Sequence, residues 1–173
     1  MKSKFASEST ATSTHIVLPD DTNTLGNLMG GRLMYWMDVI AAVAAHRHSR
    51  RIVVTASVNN ISFNQPIKLG DIITLEASVT RSFNSSMEVF IEVYTDDHRT
   101  GAKKKSNEAI FTFVAVDQLA NAIEVPELIP ETAVEKQRFE AALRRKQLSL
   151  ILAGRMKPKD ATELKAIFED LAV

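Results

Sequence analysis

Residues 30–48 read GGRLMYWMDVIAAVAAHRH, and their apolar positions repeat with the period of a helix. Leu33, Met34, Met37, Ile40, Ala41, Ala44 and Ala45 make one broad apolar face. Trp36, Val39, Ala42 and Val43 leave little polar surface on the other side, so this helix is expected to be buried. Gly30 and Gly31 open it and permit close backbone approach. His46, Arg47 and His48 close it, where cationic groups suit the negative end of the helix dipole.

After the helix the period falls to two. Residues 51–63 (RIVVTASVNNISF) are β-branched and predict a bent strand. Ile73, Leu75, Ala77 and Val79 alternate with polar residues, as do Met87, Val89, Ile91 and Val93. Residues 109–116 are apolar on both faces, which predicts a central strand. Pro66 with Gly70, and Asn84 with Ser85 and Ser86, mark turns. Residues 96–105 read as a polar, basic loop. Upstream, residues 15–18 form a short strand candidate stopped by Pro19, residues 20–24 a polar loop, and residues 1–13 a flexible lead-in. Strands joined by short turns pair as an antiparallel meander. One face of that meander needs a cover, which the helix supplies. The fold class is therefore α+β, a curved antiparallel sheet wrapped around one long central helix.

Beyond a proline-bearing connector, residues 134–152 read as an amphipathic helix ended by Gly154. Asp160 and Glu163 suggest a capping box before a short helix with the stripe Leu164, Ile167, Phe168 and Leu171. These stripes bury either on their own domain or on another subunit. The chain thus divides into a segment 1–13, a main domain 14–132 and a helical extension 133–173.

Totals narrow the function. The 173 residues are 45% hydrophobic, enough for a real core and against global disorder. Lys and Arg balance Asp and Glu at +0, so no electrostatic footprint for nucleic acid appears, and self-association is little opposed. With no cysteine there is no disulfide, thiolate metal site or cysteine nucleophile. No apolar run has signal-peptide or membrane-span length, so a soluble cytoplasmic protein without membrane partners is expected. The four histidines (His15, His46, His48 and His98) form no metal-ligand pattern and read as surface or helix-end residues.

Asp38 does not fit its helix. Aspartate is a poor interior helix residue, and an ionised carboxylate among apolar groups is costly unless paired or hydrated. It points either along a narrow exposed stripe with Arg32 and Tyr35 or into the mouth of a cleft, where perturbed acids do chemistry.

Four stretches in unbroken order then resemble one family. They are DTNTLGNLMGGRLMYWMD (residues 21–38), VVTASVNNISFNQPIKLGDII (53–73), NSSMEVFIEV (84–93) and AIFTFVAVD (109–117). Together they are similar to the hotdog-fold acyl-CoA thioesterases, in the branch of the bacterial and brain-type acyl-CoA hydrolases. The resemblance implies a five-stranded sheet around the helix, edge-to-edge dimers, and a homohexamer as a trimer of dimers. It implies an acyl-CoA substrate, with coenzyme A entering only as part of substrate or product, and no metal or other cofactor. It places the acidic residue on Asp38 and the asparagine of the DTN turn on Asn23, the two facing each other across a subunit interface. Gly30 and Gly31 fall where a free backbone N–H meets the thioester carbonyl. Asn84, Ser85 and Ser86 fall where coenzyme A is gripped. Met29 stands where some relatives carry histidine.

Thioester hydrolysis needs a nucleophile and a hold on the developing oxyanion. Asp38 would serve as general base for water or attack directly. Asn23 would orient water or thioester, and the Gly31 N–H would hold the oxyanion. Arg81, Lys68 and the run of residues 103–105 are candidates for the coenzyme A phosphates, Arg81 the better placed because it borders the turn. The acyl chain would lie between helix and sheet. A non-catalytic acyl-CoA sensor on the same fold is the alternative, disfavoured by the presence of both Asn23 and Asp38. A hotdog dehydratase would need a histidine near Asp38, and the helix offers none.

Overall fold

Each strand turns one side toward the helix, and the sheet grows from that alternation. The computed structural model describes residues 2–62, 65–97 and 99–170; Phe63, Asn64, His98 and Leu171, named above, lie outside them. In chain order the elements are β1 (Lys4–Phe5), β2 (Ala11–Ile16), α1 (Gly30–Ser49), β3 (Ile52–Ser62), β4 (Ile72–Ser82), β5 (Ser86–Asp96), β6 (Lys103–Val116), β7 (Leu128–Ile129), α2 (Ala133–Leu152) and α3 (Thr162–Asp170). Short 3-10 turns occur at Ala6–Ser9, Pro19–Asp21 and Pro158–Asp160. The chain forms two compact units, residues 1–129 and 130–173. No helix among the described residues is long and apolar enough to cross a membrane.

The first unit holds a five-stranded antiparallel sheet of order β2-β4-β5-β6-β3. β4, β5 and β6 form the expected meander. β3 does not extend it beside β4, because α1 carries the chain across the concave side and delivers β3 to the far edge, against β6. The helix-facing rows are Ile73, Leu75, Ala77 and Val79 on β4, and Met87, Val89, Ile91 and Val93 on β5, all buried. On β6 the row continues with Ala109, Phe111, Phe113 and Ala115. Leu33, Met37, Ile40, Ala41, Ala44 and Ala45 of α1 pack onto these rows. Removing a large side chain such as Phe113 would cost about 3–5 kcal/mol of transfer and cavity energy.

Other expectations also need correction. α1 is not buried all round: Met34, Tyr35, Val39 and Val43 stay exposed, because one chain supplies only one sheet face to cover it. Residues 1–13 are not a flexible lead-in. Ala6, Ser9 and Ala11 are buried, β1 pairs in parallel with β7, and the Ser9 hydroxyl accepts the Val79 N–H at 2.9 Å. The opening strand runs Ala11–Ile16 instead of 15–18. Finally, the basic loop is shorter than expected, since Lys103 and Lys105 lie within β6. There they pair with Glu76, and with Glu92 and Glu108. That strand is interior, so the lysines bridge strands and do not guard an edge.

In the second unit, the Thr132 hydroxyl accepts the Glu135 N–H and the Glu135 carboxylate accepts the Thr132 N–H, a capping box that starts α2. Gly154, at φ +68°, ends it, and the Arg155 N–H returns to the Leu150 carbonyl. Asp160 does not head α3; it closes the preceding 3-10 turn, and Gln147 of α2 accepts the Leu164 N–H of α3 instead.

His48 is the one fully buried histidine among the described residues. Its Nε2 lies 2.8 Å from the Pro126 carbonyl, an acceptor only, so Nε2 carries the proton. Nδ1 is buried without a partner. Burial therefore holds the ring neutral and pushes its pKa below the ordinary value. The unfolded chain takes up this proton near pH 6.5 while the folded chain does not, so stability is fullest above that pH and falls as pH drops below it. Denaturation midpoints at pH 7.5 and 5.5 test this: His48→Gln, which keeps a donor for Pro126, is expected to narrow the difference, and an unchanged difference would refute the assignment.

Candidate functional site

The site residues fall into three groups. Asp38 sits on the outer stripe of α1, in line with Gly31, Tyr35 and Ala42 by heptad and one-turn spacing. Its Oδ1 accepts a hydrogen bond from the Thr55 hydroxyl at 2.7 Å. Thr55 lies on the edge strand β3, opposite Phe113, just before an irregularity in register between Thr55 and Ser57. Such a bulge re-aims side chains locally. With Thr55 on Oδ1, the second carboxylate oxygen is left for a reactant. Asp38 is half-buried, and its surroundings are unusual for a solvated acid. Tyr35 is 59% and Val39 47% exposed beside it on the helix. A carboxylate thus stands on an apolar surface that nothing in its own chain covers.

The second group gathers at the amino-terminal end of α1. Asp21 accepts the Leu18 N–H and pairs with the Arg32 guanidinium at 2.8 Å, while its carbonyl accepts the Met29 N–H. These bonds fix the Asn23 loop to the helix start. Asn23 Oδ1 accepts the backbone N–H groups of Leu25 and Asn27, at 2.9 and 3.2 Å. Its oxygen is turned into the loop, so the exposed amide can act outward only as a donor. The N–H groups of Gly30 and Gly31 belong to the first helical turn, where no i−4 carbonyl exists to take them. A Cβ added at Gly31 would meet nothing within 4 Å, so its own chain does not require glycine there.

Beside this end lies an apolar cavity of about 430 Å³, walled by Leu28, Leu33, Pro66 and Ile67 with Gly30 at its rim and Asn107 among its lining residues. The loop before α1 and the loop before β4 are tied together around it by Leu28 N–H to the Ile67 carbonyl and Leu69 N–H to the Gly26 carbonyl.

The third group is the β4–β5 turn. The carbonyls of Asn84 and Ser85 are already used by the N–H groups of Val125 and Ala115, and Ser86 is buried. Arg81 stands opposite Glu88 in the hairpin register, with its guanidinium 5.8 Å from the centre of the Phe83 ring. Among the described residues, no cluster of His, Asp or Glu is placed to hold a metal ion.

One chain does not bring these groups together. Gly31 and Asp38 share a helix face but are separated by a rise of about 10 Å. Thr55 escaped the sequence reading, since a threonine in a β-branched strand looks like any other. Its signal is positional: it is a polar residue on the helix-facing side of β3.

Comparison with known proteins defines the class. The thioesterase superfamily matches residues 25–102. YkhA of Bacillus subtilis, an uncharacterized acyl-CoA thioester hydrolase, is 39% identical over 144 residues, spanning 83% of this chain and 84% of that protein. Human cytosolic acyl coenzyme A thioester hydrolase is 38% identical over 73% of this chain, which corresponds to 34% of the human protein. Among solved structures, a hexameric acyl-CoA thioesterase in its apo form superposes with a TM-score of 0.84 at 36% identity, over 88% of this chain and 98% of that one. Staphylococcus aureus acyl-CoA hydrolase, solved with butyryl coenzyme A, coenzyme A and coenzyme A disulfide, gives 0.81 at 36% identity, over 98% and 99%. The chain belongs to the thioesterase superfamily, has the hotdog fold, and falls with the acyl-CoA thioester hydrolases.

Thr55→Val removes the hydroxyl that holds Asp38 while keeping the shape of the side chain. Because the pair is open to water, the cost in stability is expected to be about 1 kcal/mol or less. Denaturant titration measures this, and a loss of several kcal/mol would mean that the bond is a buried structural one.

Proposed function

We propose that this chain hydrolyses acyl-CoA thioesters to the free acid and coenzyme A, in a site built by two copies of itself. Residues 1–129 act as the thioesterase domain and residues 130–173 as a helical extension. The observation that carries this reading is the Asp38–Thr55 pair on an uncovered apolar face, with outward N–H donors about 10 Å along the same helix. A second copy packed antiparallel on that face would set its Gly31 and Asn23 opposite Asp38. The β3 edges would then pair, removing an open strand edge. Three such dimers would form a hexamer, the assembly state of its structural relative.

Asp38 takes a proton from water through the oxygen that Thr55 leaves open. The water oxygen attacks the thioester carbon. The oxyanion is held by the Gly31 N–H, at the positive end of a helix, and by the Asn23 amide as donor. Collapse breaks the carbon–sulfur bond, and the proton on Asp38 returns to the departing thiolate. Gly30 leaves room for the carbonyl, and the Asn84, Ser85 and Ser86 turn with Arg81 receives coenzyme A.

A thiol-release assay with a panel of acyl-CoAs tests the activity. Asp38→Ala is expected to lower turnover by about 10²–10⁴-fold with assembly intact; full activity would remove Asp38 from the mechanism, and binding without release in the wild type would leave only a sensor. Gly31→Ala should keep the melting temperature, since its Cβ meets no atom of its own chain, yet lower kcat/KM about tenfold by crowding the oxyanion donor.

A further inference from the structure

The two sides of α2 differ in kind. Ala142 and Gln147 are buried, with Phe139, Leu143 and Leu150 half-buried on the same side. The opposite stripe follows one-turn spacing through Val134, Arg138, Ala141, Arg145, Leu148 and Leu152. Val134 is 54%, Leu148 44% and Leu152 79% exposed, and no acid falls on the stripe. The chain then turns at Gly154 into Arg155, Lys157 and Lys159. With Met156 they line a hollow of about 510 Å³, in which Asp160 is the one acid. Residues 136–159 hold eight Lys and Arg against a single acid, Glu140, in a chain whose total is +0. Burial first, and then the Arg155 charge, push the Lys146 amine below its ordinary pKa, as crowded cations should.

We propose that this stripe and corner form a peripheral docking surface for anionic phospholipid. Leucines exposed beside arginines and lysines suit a helix lying in the plane of a membrane interface. The aliphatic side chains dip past headgroups whose charge the cations neutralise. Other occupants fit less well. A second copy of the same face, related by a two-fold axis, would set cation against cation with no acid to answer it. Nucleic acid would use the charges but gain nothing from the leucines, and the stripe has no aromatic ring to stack a base. No helix among the described residues is long and apolar enough to cross a membrane, and surface binding needs none.

Co-sedimentation of the intact protein with phosphatidylcholine vesicles, with and without about one-third phosphatidylglycerol, tests this. Binding is expected to the anionic vesicles, with release as salt rises, and not to the neutral ones. Lys157→Gln with Lys159→Gln should weaken it about fivefold per cation removed. Leu148→Ser with Leu152→Ser, which leaves every charge in place, should weaken it about tenfold. All four side chains are exposed, and the salt series needs no variant. Binding to both vesicle types alike, or to neither, would overturn the proposal. So would binding that needs the lysines but not the leucines, which marks a bare phosphate site. An oligomer that falls apart in the leucine variant, followed by light scattering, would assign the face to a subunit contact and overturn it too. Vesicle binding is read without turnover, so failure here is distinguishable from failure of the hydrolase reading.

Discussion

The spacing of two residues on one rigid helix governs the rest. Gly31 and Asp38 lie on a common face, about 10 Å apart along the axis. The attacking oxygen must come within about 3 Å of the thioester carbon while the donors hold its carbonyl oxygen at about 3 Å. The proposed site joins the middle of one copy of α1 to the beginning of another, packed antiparallel. The exposed Tyr35 and Val39 flank the acid on that face. An apolar surface around an acid is poorly suited to bulk water and well suited to a self-complementary contact.

The sheet prepares that surface. Crossing the concave side with α1 forces β3 to the outer edge, beside β6 and away from β4. Asp38 therefore meets a strand that has one unpaired side, and Thr55 anchors the acid from that strand. At the other end of the helix, the Asp21–Arg32 ion pair and the Asn23 turn hold the preceding loop in place. Asp38 and the helix-start donors are thus each held by a separate part of the fold.

Much of this was readable from residue order. Period-two alternation in β4 and β5 and period-3.6 recurrence in α1 reflect local side-chain direction, which needs no tertiary knowledge. The misreadings share another cause. The place of β3, the pairing of β1 with β7, and the lysines absorbed into β6 depend on contacts distant in sequence. Asp38 stood out because it interrupts a helical pattern. Thr55 did not, since a polar residue on the inner side of a strand is recognised only once the inner side is known. The role of Asn23 came from resemblance; its geometry adds that the side-chain oxygen is occupied, so the amide faces outward as a donor.

The claim that one catalytic centre needs two chains is tested most directly by complementation. Asp38→Ala and Asn23→Ala chains, differently tagged and refolded together, are purified as mixed oligomers and assayed for thiol release. Each mixed dimer would contain one site lacking both groups and one site with both intact, so random pairing should restore about a quarter of wild-type activity per chain from two nearly inactive parents. Mixed oligomers of verified composition that stay as inactive as their parents would contradict the account.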